Sequence, residues 1–95
     1  MVAGLYGAVI RKGAEEAGAI YVVIDHRDGT CHLFGPPPGP AYDEEGERRW
    51  AEELSPPATP ADVAALIEKK RRIDPDIWLV EIEDPKGTAG LHATE

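Results

Sequence analysis

The chain has 95 residues, 42% of them hydrophobic, and sets 18 acidic side chains against ten basic ones for a net charge of −8. That length allows one domain, residues 1–95, with a thin core, because chains of this size bury only about 60–68% of their unfolded surface. The charge repels phosphate backbones and anionic membrane surfaces, so neither nucleic acid nor membrane is expected as a partner. Cys31 is the single cysteine, and no apolar run approaches the roughly 20 residues that span a bilayer. A cytoplasmic protein is therefore expected.

Leu5 to Lys12 reads as a strand that ends in charge, and Gly13 to Gly18 as a turn. Ala19 to His26 is the strongest strand, with Ile20 to Ile24 apolar on both faces, which predicts an interior position. Asp28-Gly29 between two strand-like runs predicts a two-residue type I′ turn. Such a turn sets His26 opposite Cys31, Asp25 opposite His32, and Ile24 opposite Leu33.

Gly35 to Pro40 stops the third strand, since proline cannot donate to a ladder. Ala41 to Glu47 is an acidic loop. Arg48 to Leu54 fits either a strand or a helical turn and is assigned as a fourth strand. A helix follows with clear punctuation: Thr59 as N-cap, Pro60 at the first helical position, and Asp62 at the third. Val63, Leu66, Ile67 and Ile73 form its predicted apolar stripe, and Lys69 to Arg72 crowd its C-terminal end, where the helix dipole favours cations. Ile77 to Glu83 is the last strand, with Trp78, Val80 and Ile82 on one face and Ile77, Leu79, Glu81 and Glu83 on the other. An ordered core of about residues 5–84 is expected, with the Gly/Ala/Thr-rich tail, 88–95, frayed.

The run Asp74-Pro75-Asp76-Ile77-Trp78-Leu79-Val80-Glu81-Ile82-Glu83-Asp84 resembles the C-terminal signature of the bacterial domain-of-unknown-function family 1491. Ala17 to Val22, Asp28-Gly29-Thr30, Leu33 to Pro36, Arg48-Arg49-Trp50 and Arg71-Arg72-Ile73 are similar to further segments of it, so the resemblance covers about Val9 to Asp84. It implies a small bacterial cytosolic protein and supplies no catalytic residue to carry over.

Four groups of residues have the composition of a chemical site. Asp25, His26, Cys31 and His32 cluster as ligand or metal candidates, but the two-residue turn puts only two on each face, short of the three or four that zinc needs. The plainer account is an Asp25–His32 cross-strand charge pair. Cys31 next to two histidines could be a nucleophile, yet nothing supplies an oxyanion site, and a half-buried strand cysteine is commoner. Glu81 and Glu83 share a strand face at a spacing of about 6.6–7 Å, in a chain too short to build a sugar cleft around them. Lys69 to Arg72 could hold a phosphate or RNA, though a dipole-matched helix end explains the run.

The expected fold is α+β: an antiparallel sheet of four to five strands, one helix packed across a face, and a core dominated by Val22, Ile24, Leu33, Leu66, Ile67, Trp78, Val80 and Ile82. No catalytic motif and no cofactor site are found. The favoured function is a non-catalytic interaction or regulatory module, either a homo-oligomer or bound to another protein. Tyr21, Val23, Phe34, Trp50, Ile77 and Leu79 are its candidate surface, because one helix covers only one sheet face. The alternatives are a small-ligand or metal-dependent enzyme at the His26/Cys31/His32 hairpin, and phosphate or RNA binding at Lys69 to Arg72.

Overall fold

The apolar run of Ile20 to Ile24 leads the chain into the centre of a five-stranded sheet. In the computed structural model, which describes residues 7–13 and 19–91, the strands are β1 (Gly7–Arg11), β2 (Ile20–Asp25), β3 (Cys31–Gly35), β4 (Ala51–Leu54) and β5 (Trp78–Glu83). Leu5 and Tyr6 of the expected first strand, most of the Gly13–Gly18 turn and the last four residues of the tail lie outside the described residues.

The sheet order is β1-β5-β2-β3-β4. The sheet is mostly antiparallel, as expected: three neighbouring pairs are antiparallel, and only β2 and β5 run parallel. A parallel pair needs a long crossover, supplied here by β3, β4 and the helix α1 (Pro60–Ile73). The helix starts as its sequence predicts: Thr59 and Asp62 form a reciprocal capping box and Pro60 opens the first turn. Lys70, Arg71 and Arg72 close the last turn.

Both sheet faces are apolar, and each is covered from within the chain. Toward the helix, Tyr21, Val23, Cys31, Leu33, Ile77 and Leu79 pack with Val63 and Ile67. On the opposite face, Val22, Ile24 and Phe34 pack with Ala89, flanked by Ile20, Trp50, Ile82 and Leu91. The tail expected to fray at residue 88 thus packs as far as Leu91. The Asp84 carboxylate binds it by accepting the N–H groups of Lys86, Gly87 and Ala89, the last at 2.8 Å.

Two expectations about the core are corrected. Ile73 is 88% exposed, because the stripe of α1 that meets the sheet ends at Ile67 and Lys70. Lys70 ion-pairs at 3.3 Å with Glu53 on β4. Trp78, Val80, Ile82 and Leu66 are half-buried. The places expected for them are taken largely by Phe34, Ile77, Tyr21 and Leu79.

Candidate functional site

The β2–β3 hairpin differs from its predicted register by one residue. Ile24 faces His32, Asp25 faces Cys31, and the His26 N–H donates to the Thr30 carbonyl, so Arg27, Asp28 and Gly29 form a three-residue loop. Arg27 takes a positive φ of 64° and Gly29 one of 89°. The Asp25 carboxylate accepts the Arg27 N–H, Asp28 accepts both the N–H and the hydroxyl of Thr30, and the Arg27 guanidinium ion-pairs with Glu83.

A one-residue slip turns every later side chain to the other face. His26 and His32 therefore meet each other, while Asp25 and Cys31 lie on the helix side. The predicted Asp25–His32 pair does not form. Instead His26 Nδ1 lies 2.8 Å from the Asp84 carbonyl, and His26 Nε2 lies 2.7 Å from His32 Nδ1. A carbonyl can only accept, so the proton of a neutral His26 sits on Nδ1 and its Nε2 accepts the Nδ1–H of His32. His32 Nε2 then faces Glu52 at 3.7 Å, and its ring stacks on Phe34. The two rings thus use their facing nitrogens on each other. Among the described residues no group of three or more His, Cys, Asp or Glu side chains is arranged to hold a metal.

Cys31 is 1% exposed beneath the helix. Burial, then the nearby Asp25, Glu81 and Asp28 carboxylates, push its thiol up, so the thiol is protonated at neutral pH rather than a poised nucleophile. The basic helix end is partly engaged: Lys70 pairs with Glu53 and Arg71 with Glu68, while Lys69 and Arg72 face solvent.

The six candidate interaction residues do not form a surface. Tyr21, Val23, Phe34, Ile77 and Leu79 are each at most 9% exposed. Trp50 is half-buried, with the Arg48 guanidinium 5.0 Å above its ring. Four of them fill the core beneath the helix, and Phe34 lies under the C-terminal segment, which removes the uncovered face that suggested them.

Exposed apolar surface lies at the sheet edge instead. β1 is a terminal strand, and Val9 is 57% and Ile10 55% exposed. Its pairing with β5 slips between Val9 and Arg11, so Ile10 is an extra residue at a bulge, while Val9 stays paired with Val80. Beside the strand opens a pocket of about 160 Å3 lined by Ile10, Pro60, Val63, Ala64, Leu79 and Glu81. Glu81 makes no hydrogen bond or ion pair among the described residues, and burial together with Asp25 and Glu83 pushes its carboxyl up. Arg11 likewise has no ion pair there, and its Nε is shielded without a partner. The sequence carried one cue to this edge: the first strand ends in two cations and contains no acid, in a chain that is otherwise acidic.

The model of a protein family described as of unknown function, DUF1491, matches residues 1–92. The solution structure of protein Atu0922 from A. tumefaciens is 43% identical, with a TM-score of 0.78, over 98% of this chain and 83% of that one. A crystal structure of a DUF1491 family protein from Caulobacter crescentus is 40% identical, with a TM-score of 0.69, over 93% of this chain and 76% of that one. None of the curated proteins matches the chain.

Proposed function

Because this chain belongs to the DUF1491 family, whose function is unknown, its role has to be read from its own surface, and we propose that it is a non-catalytic interaction module that docks an extended protein segment on the open edge of β1. One observation carries this reading: Val9 and Ile10 are both more than half exposed on a terminal strand. An edge strand offers unpaired backbone N–H and C=O groups, so an added strand gains a hydrogen-bonded ladder as well as apolar contact. The other edge is a poorer template. β4 has four residues, and its Glu52 and Glu53 face a histidine and a lysine of the same chain.

The single buried thiol and the bacterial sources of the similar structures support a bacterial protein of a reducing, cytoplasmic compartment. Among the described residues no helix is long and apolar enough to cross a membrane.

The test is site-specific photo-crosslinking in living cells. A crosslinking amino acid in place of Val9 should give a discrete protein adduct, and the same probe in place of the still more exposed Ile73 should not. Equal, diffuse labelling from both positions would contradict the proposal.

A further inference from the structure

On the sheet face away from the helix, polar groups of four neighbouring strands form one row, and we infer that its two histidines work as a proton-sharing clasp. The pair of His26 and His32 holds one proton between its rings, and a second proton parts them and frees the Asp84 carbonyl. The inference does not depend on the docked edge.

The row follows the sheet order β5-β2-β3-β4. Asp84 follows β5, His26 follows β2, His32 lies on β3 and Glu52 on β4. The register sets Glu52 opposite Phe34, two residues on from His32, so these three side chains share a face. The contacts run without a break: Asp84 carbonyl to His26 Nδ1 at 2.8 Å, His26 Nε2 to His32 Nδ1 at 2.7 Å, and His32 Nε2 to the Glu52 carboxylate at 3.7 Å.

Counting protons on the four ring nitrogens separates three states. With two protons, one on each Nδ1, His32 Nε2 is an acceptor turned toward a carboxylate, which also only accepts. A third proton removes that mismatch. His26 Nδ1–H donates to the Asp84 carbonyl, His32 Nε2–H donates to Glu52 as a charge-assisted contact, and one proton lies between the facing nitrogens. Every ring nitrogen is then used, and one positive charge is spread over both rings. With four protons, two N–H groups point at each other across 2.7 Å, so the contact cannot persist.

His26 is the ring that yields. The His32 ring is stacked on Phe34, its side chain is 20% exposed, and Glu52 draws it the other way. His26 is held on its far side by the Asp84 carbonyl. Among the described residues, the carboxylates that act on the pair are Glu52 from β4, Asp28 from the hairpin loop and Asp84 from the end of β5. The Asp28 carboxylate is engaged with Thr30, and that of Asp84 with three N–H groups, so neither is free to seat a displaced ring. The neighbouring cation, Arg27, is turned to Glu83. When His26 swings out, the segment that covers Val22, Ile24 and Phe34 loses a tie at its base.

Ring-nitrogen NMR of the full chain, titrated from about pH 9 to about pH 5, tests the inference across the range in which histidines change charge. The expected first step moves His26 Nε2 and His32 Nδ1 together, as a coupled pair must. A separate second step should follow at lower pH. Protection of the Ala89 and Leu91 amides should hold through the first step and fall roughly fivefold in the second, as for one hydrogen bond lost. The Asp84 carboxyl lies below its ordinary value and stays charged throughout, so its own titration does not produce that fall. His32→Phe should leave His26 with a single step, and Glu52→Gln should move the first step to lower pH. Should His32→Phe fail to fold, the Glu52→Gln titration serves in its place. Two histidines that titrate independently, each indifferent to these substitutions, overturn the inference. Full protonation of both rings with Ala89 protection unchanged overturns the release of the segment.

Discussion

Asp84 links three parts of the fold. Its backbone N–H donates to the Asp25 carbonyl, its own carbonyl accepts His26 Nδ1–H, and its carboxylate gathers the N–H groups of residues 86, 87 and 89. The N–H of Ala89 above all, then that of Lys86, holds this carboxyl below its ordinary value. A depressed carboxyl stabilises the fold above its unfolded value of about 3.9 and loses that contribution as pH falls through its lower native value. Asp84→Ala should speed hydrogen exchange at Ala89 at pH 7, an effect that shrinks below about pH 4. Glu81 has the opposite sign, since its raised carboxyl disfavours the folded monomer once pH exceeds that raised value. Glu81→Gln should therefore leave the fold at least as stable at pH 7 in thermal melts. Gly13 marks a third position: a Cβ there would lie 2.0 Å from the Asp76 carbonyl oxygen. Backbone cannot yield as a side-chain tip can, so Gly13→Ala should cost on the order of 1–3 kcal/mol in denaturant unfolding.

Among the elements, the helix was the most legible, because Thr59, Pro60 and Asp62 each have a local physical reason for their positions. Thr59→Ala should lower stability by about 1 kcal/mol, as for other lost N-caps. β2 and β5 were legible from apolar runs at strand spacing, and the alternation of β5 correctly separates Ile77 and Leu79 from Trp78 and Ile82. The hairpin was read one residue out of register. Asp28-Gly29 is a strong local cue for a two-residue turn, but Arg27 adopts a positive φ with its N–H on Asp25 and its guanidinium on Glu83. Those partners come from the strand itself and from β5, so part of the deciding contact is not local. That slip also hid the His26–His32 contact. The C-terminal segment was missed because Gly, Ala and Thr carry no periodic apolar signal, while its anchor is a single carboxylate. An Asp followed three residues later by Gly is a weak cue on its own.

At the scale of the whole molecule, two apolar sheet faces are closed by one helix and one short C-terminal segment, and the open boundary that remains is an edge. The buried layer should behave as a core: Leu33, with no exposed surface, should cost about 2–5 kcal/mol when cut to Ala, measured by urea denaturation. The residues expected to form an interaction face are what hold the domain together, so substituting them would test folding rather than binding. The expectation of a partner rests on an open face, whereas the docking site proposed above lies on the edge strand β1. No local pattern could assign that edge, because strand order depends on the crossover that inserts β5 between β1 and β2.

Amide hydrogen exchange along Gly7–Arg11, followed with and without the polypeptide captured from Val9, reads the central claim at the bonds that would form. If an extended segment docks on β1, the β1 amides not bonded to β5 should slow when it is added, while amides of α1 and β3 keep their rates. Exchange along β1 that is unchanged by that polypeptide would contradict the docked edge.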